Sequence, residues 1–298
     1  YLDKYIVRQI PDQPSLAVNL ESGAIDCAYA PSFTDTVRLR DTPGRKFVVD
    51  PGARGALMRD FGMNCKVEPF TDKRVRQAFA HAIDRARFCS TIQQGLVPPT
   101  CLIWPRNSWG YFPDLEDKRA FNLEKAASLL KEAGLGNGFE TEILCSSQQI
   151  GDGQLAQMIQ ADLAKIGVKA KVVDVDVSLR EARQMKQDIV TIVHAYGRAS
   201  RDPGTTVTAA KAWFSDKEGN WVRFESEEWD RLRKELQSTL DNEKRKATLR
   251  KIQELALEEC FCNPIAELPQ PWAMGSYVKG FSVNPEHAPW VGNVWLDK

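Results

Sequence analysis

Residues 140–197 alternate between two periodicities, and that alternation leaves few folds open. An apolar strand pattern at about 140–146 is followed by QLAQMIQADLAKIG, where Leu155, Met158, Ile159, Leu163 and Ile166 fall on one helical face and Gly167 ends the run. The strand pattern VKAKVVDVDV comes next, and then Ser178-Leu-Arg-Glu181, which reads as a capping box opening another helix. The β-branched run Ile189–Val193 closes the series. Strand, helix, strand, helix, strand predicts an α/β fold whose sheet is covered on both faces.

The flanking sequence extends this reading. Thr71 can cap a helix with Val75, Phe79, Ala82 and Ile83 on its apolar stripe, and Asn122 can cap another that ends on Gly134. Two more helices are expected around 227–239 and 242–258, followed by a Trp- and Pro-rich tail of short strands and turns. No fixed-period repeat is visible. The chain of 298 residues is long enough for one large domain or two lobes. Its 40 basic and 40 acidic residues give no net charge to attract nucleic acid or an anionic membrane. No apolar run reaches the roughly 18–20 residues of a membrane span. The opening YLDKYIVRQIPDQPS reads as a strand entered in mid-fold, so the chain is expected to be the C-terminal part of something longer.

The usual chemical motifs are missing from the sequence. His81, His194 and His287 are far apart and lack metal-ligand spacing; His194, inside an apolar strand, is expected to be a hydrogen-bonded core residue. No nucleophile elbow, P-loop or dinucleotide fingerprint occurs. Asp174 and Asp176 share a strand face and are expected to be solvated, as are Lys73, Arg74 and Arg76. The seven cysteines are odd in number and widely spaced, unlike a disulfide framework; Cys260 and Cys262 are expected to be plain buried thiols. No catalytic residue, metal site or cofactor is therefore assigned, and the chain is read as a non-enzyme.

Several segments resemble one family. PFTDKRVRQAFAHAIDR (69–85) is similar to a long stretch of the family 5 extracellular solute-binding proteins, the oligopeptide, dipeptide and nickel type of receptors that feed ABC importers. LAVNLESGAIDCAYAP (16–31), GMN (62–64), FNLEKAASLLKEAGLGNGFE (121–140), LAKIGVKAKVV (163–173) and the closing VKGFSVNP…W (278–290) resemble further family segments in the same order. The resemblance implies a periplasmic-binding-protein-like (type II) fold of two α/β lobes. Residues 1–52 and 263–298 would form part of a discontinuous first lobe, and 53–262 the second, ligand-closing lobe. With the upstream part of the first lobe absent, unpaired strand edges and exposed apolar surface are expected.

The resemblance also points to a turn. In IVTIVHAYGRASRDP (189–203), Tyr196 matches an aromatic that lines the cleft of peptide-binding relatives. Ala199 stands where those relatives have an aspartate that pairs with the peptide's α-ammonium. Losing that charge-assisted hydrogen bond costs roughly 1.5–3 kcal/mol. Arg198 and Arg201 flank the gap, and a planar guanidinium grips carboxylate or phosphate bidentately. The alternative is that these arginines end in solvent or on a lobe carboxylate. If the alignment slips, Asp202 takes the aspartate's role; otherwise it caps the turn before Pro203. Arg59 is a further candidate for the cleft, and Trp213 is expected in the core.

The function that this resemblance implies is capture of a small polar solute (peptide-like, opine- or sugar-like, or anionic) and its delivery to ABC permease subunits. The protein would be monomeric, periplasmic or extracellular, with a lipid anchor upstream of Tyr1 as one option. The rival expectation is a ligand-sensing domain of a cytoplasmic regulator, which scattered cysteines would suit. A hydrolase would need a nucleophile–base pair that the sequence does not display.

Overall fold

The alternating stretch forms three adjacent strands, from one edge to the centre, of the larger of two principal sheets. The computed structural model describes residues 2–10, 12–52, 57–197, 202–209, 213, 215, 219–284 and 288–298. The chain begins with α1 (Gln13–Glu21), β1 (Cys27–Tyr29), α2 (Phe33–Arg40) and β2 (Phe47–Asp50). It continues through β3 (Leu57–Met63), α3 (Lys73–Ala82), the single turn α4 (Arg85–Arg87) and α5 (Leu123–Glu132). Then β4 (Glu140–Cys145), α6 (Asp152–Ala164), β5 (Lys169–Asp174), α7 (Val177–Met185) and β6 (Thr191–Gly197) alternate as the sequence predicts. Helices α8 (Pro203–Ala209), α9 (Glu227–Ser238) and α10 (Asn242–Glu259) lead to β7 (Cys262–Glu267) and β8 (Trp272–Gly275).

The large sheet has the order β5-β4-β6-β3-β7. β4 runs parallel to β5 and β6, while β3 is antiparallel to both β6 and β7. Side chains alternate between its faces. Ile143, Cys145 and Val193 join Val75, Phe79, Leu155, Ile159 and Leu163 in one core, beneath α3, α5 and α6. Leu144 and Ile192 point the other way, to Trp229, Leu232, Leu236, Leu249 and Ile252 from α9 and α10. A slip of one residue in β4 or β6 would exchange the two sets, so burial on both faces fixes the register.

Local expectations are met with small corrections. Asn122 accepts from the Lys125 amide at 2.8 Å to start α5, and Gly134, at φ +80°, follows its end. The cap of α3 is Asp72 rather than Thr71, and that of α7 is Asp176 rather than Ser178. In both, a carboxylate receives the amides of the first turn and also sits at the positive end of the helix dipole. Asp174 likewise accepts from the backbone amide and hydroxyl of Ser147. Arg76 departs from the expected solvated cluster. It is buried, with Nε donating to the Glu259 carbonyl at 2.7 Å and Nη2 to the Glu259 carboxylate at 2.9 Å, so it ties α3 to the end of α10. Lys73 and Arg74 do remain exposed. His194 is a core residue, with Nε2 3.0 Å from Asp60 Oδ2 and its ring edge-on to Trp221. All seven cysteines are free thiols.

The second sheet is small, with the order β1-β8-β2 and antiparallel pairing. It brings the chain's last part back to its first, β8 pairing with both β1 and β2. The crossing falls later than residue 263: β7 pairs with β3 along Gly62–Met58, so residues 262–267 belong to the large sheet and only 268–271 cross over. Large apolar side chains including Ile6, Val7, Val48, Trp290 and Trp295 are exposed in this smaller part.

Candidate functional site

The carboxyl ends of β4, β5, β6 and β7 and the start of β3 lie along one edge of the large sheet. In open α/β sheets, ligands bind outside the carboxyl ends of the parallel strands. Both connections to the small sheet, after Asp50 and after Glu267, join the large sheet at this edge. They run side by side at Gly52 and Gln270. Gly52 has φ +66°, and a Cβ there would fall 2.1 Å from the Gln270 carbonyl oxygen, so only glycine fits.

Tyr196 ends β6 at this edge. Its hydroxyl donates to the Ile103 carbonyl at 2.7 Å, and its ring stands edge-on to Trp213, with centroids 5.3 Å apart. Burial pushes its phenol well above the usual tyrosine range, so it stays a neutral donor. Trp213 is a core residue: it stacks on Trp229, whose indole N–H donates to the Trp213 carbonyl at 2.8 Å.

The far side of the turn is held equally firmly. Asp202 Oδ1 accepts from the Gly204 amide at 2.7 Å, and both carboxylate oxygens lie 2.7 Å from Arg245 Nη2. Arg245 also donates to the Leu236 and Thr239 carbonyls and lies over the Trp109 ring. Trp104 Nε1 donates to the Pro203 carbonyl at 2.8 Å. Gly110 packs so closely that an added Cβ would come 2.8 Å from Pro203 Cβ. Tyr196 and Asp202 are thus fixed on either side of residues 198–201, with Asp202 committed to the Gly204 amide and to Arg245. The candidates Arg198, Ala199 and Arg201 lie outside the described residues.

Arg59 is not presented to solvent. Its side chain is 2% exposed and forms an ion pair with Asp152, itself fully buried in the first turn of α6. Nη2 donates to the Ile150 carbonyl at 2.5 Å, and Arg180 Nη1 reaches the other Asp152 oxygen at 3.3 Å. Burial first, and Arg180 second, push the Arg59 guanidinium down to about 9. The cluster anchors the β4–α6 connection to β3. Trp104, Trp109, Gly110 and Arg245 around the turn were not legible in the sequence. The stretch WPRNSWGY (104–111) carries a local aromatic signal, but nothing in the sequence pairs it with Pro203 across about a hundred residues.

Comparison with known proteins fits this architecture. The family model described as bacterial extracellular solute-binding proteins, family 5 middle, matches residues 1–218. The chain belongs to this family. Heme-binding protein A of Haemophilus influenzae is 24% identical over 288 residues, which is 95% of this chain and 52% of that protein. The periplasmic binding protein DppA of Helicobacter pylori, solved with the peptide STSA, matches with a TM-score of 0.85 at 26% identity, over 98% of this chain and 56% of that one. AgaA of A. tumefaciens, solved with agropinic acid, gives a TM-score of 0.83 at 24% identity, over 97% of this chain and 60% of that one. The chain therefore spans about half the length of the relatives it matches. Its α/β fold is that of periplasmic binding proteins, with one lobe present only in part. The regulator alternative gains no support from these relatives. No described helix is long and apolar enough to cross a membrane.

Proposed function

We propose that this family 5 chain belongs to the substrate-binding component of an ABC importer, working outside the cytoplasmic membrane. It would capture a small polar solute between lobes and deliver it to a membrane permease. In this reading residues 1–52 and 268–298 contribute to one lobe and 57–267 form the other. The crossings at Gly52 and Gln270 serve as the hinge, and solute contacts to both lobes favour closure.

The solute is anionic or hydroxyl-rich, with opine-like and amino-blocked peptide-like compounds included, rather than a free peptide gripped by its α-ammonium. The observation that carries this is the commitment of Asp202. Its carboxylate is held by Arg245 and the Gly204 amide, so a slipped alignment does not supply the aspartate that Ala199 replaces. Tyr196 then forms a wall of the site, while Arg198 and Arg201 provide the grip. Asp202 and Arg59 act as positioning residues, the first holding the turn and the second the β4–α6 connection.

A thermal-shift screen of the full-length protein tests the proposal, using free and N-blocked peptides, sugars, opines and dicarboxylates, with Arg198→Ala alongside. A solute that binds only the folded form raises the melting temperature by mass action. Stabilisation of the wild type by an anionic or hydroxyl-rich solute, lost in Arg198→Ala, supports the grip. Stabilisation by free peptides, unchanged in the variant, overturns it.

A further inference from the structure

Phe33 opens α2 in the smaller part of the structure, where Ser32 caps the helix by accepting from the Asp35 amide at 3.0 Å. Leu39, further along α2, packs inward with Ala17, Leu20, Ala28 and Ala273, and Phe33 is not part of that cluster. Its ring is nevertheless buried, with only 5% of the residue exposed. The burial comes from the larger part. A Cβ built at Gly151, the residue that starts α6, would stand 3.4 Å from Phe33 Cε2, 3.7 Å from Ile92 Cγ2 and 3.9 Å from Phe88 Cζ. An apolar ring from one part of the chain and two apolar side chains from the other therefore converge over Gly151.

Both sides of this contact are held in place. Phe88 is fully buried, and Phe88 and Ile92 pack on the core shared with α3 and α6. Gly151 lies between Ile150, whose carbonyl accepts from Arg59, and Asp152, the buried counter-charge of Arg59. On the other side, the Ala30 amide, three residues before Phe33, donates to the Pro271 carbonyl at 2.8 Å, next to the crossing at Gln270. The charged groups of α2 stay within the smaller part, Arg38 pairing with Asp35 and with Glu21 of α1. A contact made in one arrangement of two lobes and lost in the other shifts their ratio, whereas one made equally in both shifts nothing.

We propose that Phe33 is an apolar latch between the two lobes. Seated against Gly151, Phe88 and Ile92, it weights the solute-free protein toward the arrangement seen here, and it leaves this seat when the lobes part. The solute then completes a closure that the latch already favours. This inference rests on the two-lobe reading proposed above and not on which solute is bound.

The test is small-angle X-ray scattering of the full-length protein without solute, as wild type, Phe33→Ala, Ile92→Ala and the double variant. Losing a ring that is buried in only one arrangement should lower the ratio of closed to open molecules about tenfold. Phe33→Ala should therefore raise the radius of gyration, and Ile92→Ala, which alters the seat from the other lobe, should raise it too. The double variant should open less than the two single effects combined, because both changes remove one contact. Phe33→Leu, which keeps an apolar side chain in the seat, should stay near the wild-type curve. If Phe33→Ala does not fold, Ile92→Ala and Phe33→Leu carry the test. Superimposable curves for wild type and the alanine variants, opening by only one of the two, or fully additive effects would overturn the latch. Because no solute is present, these outcomes are independent of the thermal-shift screen that tests the solute's chemistry.

Discussion

Replacing Asp152 with alanine should be among the most damaging single changes in the larger sheet. Its carboxylate is fully buried and is the shared counter-charge of Arg59 and Arg180, whose side chains are 2% and 10% exposed. Removing one partner of a buried ion pair generally costs about 3–5 kcal/mol, because the remaining charge is left without compensation. Here two guanidiniums lose their partner, so the upper end, about 5 kcal/mol, is expected. Loss of an acidic group from the first turn of α6 adds about 0.3–1 kcal/mol. Urea unfolding should show a large fall in midpoint with little change in slope. Arg59→Met in the Asp152→Ala background should recover part of the loss, with a coupling of about 1–3 kcal/mol in the double-mutant cycle. A cost below about 1 kcal/mol for Asp152→Ala, or strict additivity with Arg59→Met, would refute the reasoning.

Two further perturbations probe other parts of the account. His81, whose Nδ1 lies 2.8 Å from the Ala120 carbonyl, is pushed down to about 4 chiefly by burial. Between pH 6.5 and about 4 the unfolded chain holds a proton there that the folded chain does not, so stability is full above 6.5 and falls as pH drops through that window. The loss should be about 2–3 kcal/mol, and urea midpoints should show it reduced in His81→Gln. Gly110→Val places a Cβ against Pro203; it should cost about 1–3 kcal/mol and weaken solute binding by displacing the turn, measured by unfolding and titration together.

The parts of this fold that the sequence made legible are those in which a local pattern and burial agree. The period-2 and period-3.6 runs over 140–197 became β4, α6, β5, α7 and β6 because both sheet faces are covered and each helix has one apolar stripe. Caps were displaced where an aspartate stood within two residues of the expected hydroxyl cap, as at Asp72 and Asp176, since a carboxylate serves both the amides and the dipole. Arg76 was expected in solvent and Arg59 at the cleft, and only their long-range partners, Glu259 and Asp152, reveal that both are buried. Tyr196 drew attention through its resemblance to a family segment, and Asp202 as a residue before Pro203 that could cap a turn. The scaffold of the candidate site, Trp104, Gly110 and Arg245, comes from parts of the chain that no local pattern connects.

The central claim, that the turn after Tyr196 is built for a solute without a free α-ammonium, is tested most directly by calorimetric titration of the full-length protein and of Ala199→Asp. Each would be titrated with one peptide in free and in N-acetylated form. The wild type should prefer the blocked peptide, and Ala199→Asp should shift the preference toward the free peptide by about 10- to 150-fold, the equivalent of one charge-assisted hydrogen bond. A wild type that binds the free peptide more tightly, with no change on adding the aspartate, would contradict the account.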